Sequence, residues 1–102
     1  SSDLAERDGE AGALLRADVL RGNGFLAGAI QGLEQALKRQ PNSLAIALEL
    51  GSLYNESGLN KLAADRFRLA ASLARSSSDA EALAEAQAGA SRAQDLLRAP
   101  AP

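Results

Sequence analysis

The chain has 102 residues, enough for one small domain with a single core, and its 46% apolar and 24% charged residues fit a folded chain rather than a disordered one. Cysteine and histidine are both absent, which excludes disulfides, thiolate chemistry, imidazole bases and the usual zinc sites. A net charge of −2 gives no general attraction to nucleic acid or to an anionic membrane, and no apolar run approaches the roughly 18 residues of a membrane span.

Helix signals dominate along the chain. There is no sustained two-residue alternation, and Val19, Ile30 and Ile46 are the only β-branched residues. The punctuation falls at RGNG (21–24), RQPNS (39–43), NESGLN (55–60) and RSSSD (75–79), predicting helices over 3–21, 25–40, 44–56, 60–74 and 79–98. Gly24 and Gly58 suit turns that need positive φ, where a Cβ is costly. Ser43 is placed to cap the third helix, and Ser78 with Glu81 reads as a capping box for the fifth. On that last helix Leu83, Ala86, Ala90, Ala93 and Leu97 form an apolar stripe, with Leu96 off it. Residue 1 is not an initiator methionine, so the chain reads as an excised piece or processed product, and 99–102 as a linker or tail.

Sliding the chain against itself by 34 residues pairs Ala11 with Ala45, Ala13 with Ala47, and Leu14 with Leu48. It also pairs Gly24 with Gly58, Phe25 with Leu59, Ala29 with Ala63, Leu33 with Phe67, and Ala36 with Ala70. A period of 34 with two helices per unit is the tetratricopeptide (TPR) spacing.

The second unit resembles the TPR signature directly, through Leu50-Gly51, Tyr54, Gly58, Ala63, Phe67 and Ala70. Gly51 and Ala63 would let two helices approach closely while Tyr54 and Phe67 fill the space beside them. The first unit matches through Ala17, Leu20, Gly24, Ala29, Leu33, Ala36 and Pro41, with Arg16 where the family has leucine and no tryptophan in either unit. The resemblance implies an all-α domain over 3–98, an α-solenoid of antiparallel helix hairpins with about five helices. Repeats would span about 10–43 and 44–77, and the helix 79–98 would cap the array, its polar outer face carrying Glu81, Glu85, Arg92 and Asp95. A five-helix bundle with an accidental echo is the competing architecture.

In that family the first helix of each hairpin lines a concave binding groove. By the resemblance, the groove would present Ala11, Leu14, Asp18 and Arg21, then Ala45, Leu48, Ser52 and Asn55, with Glu81, Ala84 and Ala88 on the last helix. The implied function is a protein–protein interaction module that binds a peptide or helical segment, a scaffold or assembly factor within a larger bacterial protein. The other reading is a self-association or spacer domain with no groove ligand. The carboxylate clamp of chaperone-binding TPR domains is missing, because Leu14, Asp18, Glu49, Glu81 and Glu85 stand at its positions. A groove of this charge favours a neutral or basic segment. The basic residues Lys38, Arg39, Lys61, Arg66, Arg68 and Arg75 fall on the second helices, without the interleaved aromatics that stack bases, so nucleic acid is not an expected partner. No nucleophile motif, phosphate loop or metal-ligand cluster marks an enzyme, no cofactor is expected, and the free chain is expected to be monomeric. The compartment stays open between cytoplasm and periplasm.

Overall fold

The computed structural model describes the backbone of residues 2–99 and the side chains from Gly9 to Ala99. Five helices follow one another: α1 (Ser2–Gly22), α2 (Leu26–Arg39), α3 (Leu44–Glu56), α4 (Asn60–Ser76) and α5 (Ala80–Arg98). Among the described residues there is no strand, and the fold is all-α. The predicted helix ends at Leu44 and Glu56 match the observed ones, and the others agree to within a residue or two.

The turns explain that agreement. After α1, Gly24 N–H donates to the Arg21 carbonyl and Phe25 N–H to the Leu20 carbonyl, at 3.0 and 2.8 Å. After α3, Gly58 and Leu59 repeat the pair to Asn55 and Tyr54, at 3.1 and 2.9 Å. This is a Schellman closure, which needs one residue in the left-handed region, and Gly24 (φ 82°) and Gly58 (φ 77°) supply it.

The third such turn corrects the sequence reading. Ser78 and Asp79 close α4 onto Arg75 and Ala74 with the same two bonds, and Ser78 takes the left-handed position at φ 56°. Ser78 therefore ends α4 and does not cap α5. The cap is Asp79, whose carboxylate accepts from Ala82 N–H at 3.0 Å. The sequence pattern of a capping box competed here with a C-terminal turn built without glycine, and the turn won. Ser43 caps α3 as expected, accepting from Ile46 N–H at 3.2 Å while donating to Glu10 on α1.

Helix α3 is the hub and touches all four other helices. Among the described residues the backbones of α1 and α5 do not approach each other, and α2 reaches α4 only through side chains, Glu34 to Arg66. The smallest principal extent, 19 Å against 52 and 33 Å, amounts to about two helix diameters. Leu33, Ile46, Leu50 and Leu53 are the largest fully buried side chains, set among alanines from every helix. Small side chains at helix contacts let the axes come close, and the bulky residues fill what remains.

Phe67 shows this most clearly. Its ring lies between Gly51 of α3 and Gly89 of α5; a Cβ on Gly51 would sit 2.7 Å from the ring, and one on Gly89 closer still. Two glycines thus make room for one aromatic ring at the junction of three helices. The stripe on α5 holds for Leu83, Ala86, Ala90 and Ala93, with Ala82 added. Leu97 departs from it and is 54% exposed, because the helix runs on beyond the packed core and leaves its last turn unopposed.

Candidate functional site

A cleft of about 590 Å³ opens between α3 and α5. Ser52, Asn55 and Glu56 form one wall, Glu85, Ala88 and Arg92 the other, and the edge of Phe67 with Gly89 the floor. Leu96 closes one end and is half exposed. The cleft exists because α5 meets α3 through few residues while both pack closely on α4. Phe67 fills the depth of that wedge, leaving its mouth empty.

Of the residues singled out from the sequence, Ser52 and Asn55 lie in this cleft, as does Ala88. Asn55 also has structural work: its amide reaches the Gly89 carbonyl at 3.5 Å, and its oxygen accepts from Asn60 at 3.0 Å. Leu14 and Leu48 are partly buried and pack against the core. Asp18 and Glu81 are exposed on α1 and α5 and do not line the cleft. Arg21 is occupied by α3: its Nη1 pairs with Glu49 at 2.5 Å and its Nη2 lies 3.2 Å from Glu56. The Nη2 contact lacks hydrogen-bond alignment, and the buried Nε has no acceptor, so Arg21 acts chiefly as a charge between two carboxylates.

One polar network was not visible from spacing. Glu34 of α2 accepts two bonds from Arg66 of α4, from Nε at 3.0 Å and Nη2 at 2.9 Å, in the bidentate geometry that favours this pair. The same carboxylate accepts the Tyr54 hydroxyl of α3 at 2.5 Å. Three helices are joined through one carboxylate. The Tyr54 phenol is pushed up to about 12, first by burial and then by the adjacent Glu34 as acceptor and as negative charge, with Arg66 opposing. The bond to Glu34 likewise raises Arg66, outweighing desolvation. The run of bases on the second helices is accordingly broken: Arg66 is spent on Glu34, and Arg68 pairs with Asp65.

Among the described residues no group of three or more acidic side chains is arranged to hold a metal ion, and no helix is long and apolar enough to cross a membrane. The chain matches no protein-family model, and no curated protein is similar to it at a significant level.

Proposed function

We propose that the chain is a protein–protein interaction module of TPR type, two hairpins and a closing helix, that seats a peptide or helical segment of a partner in the α3–α5 cleft. The observation that carries this reading is the cleft itself. Its floor is apolar and its walls hold hydrogen-bonding and charged groups, the usual composition of a surface that orients a bound segment. Support for the repeat comes from the paired Schellman turns, with Gly24 and Gly58 in matching roles at the 34-residue period. A scaffold or assembly role within a larger bacterial protein follows as the wider proposal, and an enzymatic role is not proposed.

Exposed apolar residues at the two ends favour a second reading, self-association: Leu15 and Val19 on α1, Leu96 and Leu97 on α5. One experiment separates the two. Ala88 is exposed and lines the cleft, so Ala88→Tyr should fill the mouth without disturbing the core. Partner capture by the parent protein should be lost in Ala88→Tyr at unchanged melting temperature. Retained capture that fails instead with Lys61→Glu and Arg68→Glu would move the site to the second helices. A concentration-dependent mass abolished by Leu96→Ser would establish self-association.

A further inference from the structure

The charges are segregated by helix. Over residues 9–98, α1, α3 and α5 carry seven acids and four arginines, whereas α2 and α4 carry two acids and six bases. The cleft lies wholly on the acidic side except for the Phe67 edge. Within it the free and satisfied charges differ. Arg21 neutralises one of the two carboxylates Glu49 and Glu56, so that cluster retains one negative charge. Glu85 lines the cleft, and Glu81 stands one turn before it on α5; among the described residues neither has an ion pair. Arg92, two turns beyond Glu85, is the one cation in the lining, and Leu96 follows it one turn later.

Resting on the reading of the cleft as a partner site, we infer that its occupant is a cationic, amphipathic segment of a partner protein. Lysines or arginines of the segment meet Glu81 and Glu85, and an apolar anchor lies against Leu96 and the Phe67 edge. From Glu85 to Leu96 is eleven residues of helix, about 16 Å, room for three turns of a bound helix. The polarity along that length is built in, because the carboxylates sit at one end and the leucine at the other. An anionic segment entering the same cleft would meet Glu56 and Glu85 on opposite walls, and that like charge disfavours it. The cleft of about 410 Å³ between α4 and α5 suits a cation less, since Arg68 and Arg75 line it and no carboxylate does.

Two peptide probes test this on the whole chain. Both carry leucines at helical spacing; one has lysines at every other position, and its twin has glutamates. Amide chemical shifts locate the contact and fluorescence anisotropy measures affinity. The lysine peptide should shift Ser52, Ala88 and Gly89, bind at least about tenfold tighter than its twin, and weaken as salt rises from about 50 to about 300 mM. Glu85→Lys with Glu81→Gln should remove that preference, and the melting temperature should hold because both side chains are exposed and no cation is placed in the first turn of α5. A glutamate peptide that binds the cleft as tightly overturns the charge inference and leaves the cleft standing as a site. Failure of both peptides to shift the cleft overturns the inference together with the reading it rests on. Shifts on α4 caused by a second copy of the chain, in place of cleft shifts by the lysine peptide, would also overturn it.

Discussion

The two hairpins solve one packing problem with different side chains. In the second, Gly51 on α3 faces the Phe67 ring on α4, and a Cβ there would sit 2.7 Å from the ring. At the equivalent positions of the first hairpin stand Ala17 and Leu33, both buried in the same core. One methyl is gained on one helix and bulk is lost on the other. What recurs at the 34-residue offset is a small buried residue on the first helix and a large one on the second, not the residue at either position. The hairpins also differ in surroundings. The second lies between α2 and α5 and buries large residues on both helices, while the first leaves Leu15, Val19 and Phe25 more than half exposed.

The largest effect should come from removing the ring. Phe67→Ala should cost about 4 kcal/mol, with α5 loosened as well, whereas Leu33→Ala should cost about 3 kcal/mol and spare α5. Urea denaturation gives the first quantity and hydrogen exchange along α5 the second. Equal loss of α5 protection in both variants would erase the distinction between the hairpins.

Overpacking at Gly51 should come next. Gly51→Leu should destabilise by about 2 kcal/mol or more, because the Phe67 ring already fills the space a side chain would take. The sharper form is a double-mutant cycle. Gly51→Ala with Phe67→Leu recreates the pair of the first hairpin, and the two changes should couple favourably by about 1 kcal/mol. Simple additivity would show that the glycine and the ring are not matched to each other.

Glu34→Gln tests the joint between the hairpins and should cost about 1–2 kcal/mol through the loss of a charge-assisted bond from Arg66. It also has an optical signature, since Tyr54 is the only tyrosine in the chain. The phenol holds its proton more tightly folded than unfolded, with its pKa at about 12 against 10.0. Its contribution to stability is therefore complete below pH 10 and is lost as pH rises toward 12. Phenolate absorbance should titrate lower in Glu34→Gln than in the parent, and Tyr54→Phe should flatten the alkaline fall in melting temperature.

The smallest effect is a gain. Ser78 occupies at φ 56° the position that glycine holds in the other two turns. Ser78→Gly should stabilise the chain by about 0.5–1 kcal/mol, read as a rise in melting temperature, while Gly58→Ser should do the reverse.

The helices were legible in the sequence because their determinants are local. Spacing of apolar residues, Gly24 and Gly58 at the turns, and the Ser43 cap act within a few residues of chain, so nearby letters suffice. The smallness of Gly51 and the bulk of Phe67 were legible too, since the pattern of sizes recurs every 34 residues. Gly89 carried a weaker signal, a lone glycine within a helix, whose meaning depends on a ring 22 residues earlier in the chain. The cap of α5 was misplaced because Ser78 and Asp79 are both good capping residues, and only the closure of α4 onto Arg75 and Ala74 decides between them. Pairings such as Glu34 with Arg66 and Arg21 with Glu49 join residues 32 and 28 apart, and no spacing rule links them. The cleft belongs to the same class: its walls come from α3 and α5, whose separation is fixed by how Phe67 wedges both against α4. Local chemistry set the five helices; the angles and distances between them, and with them the site, came from packing over the whole chain.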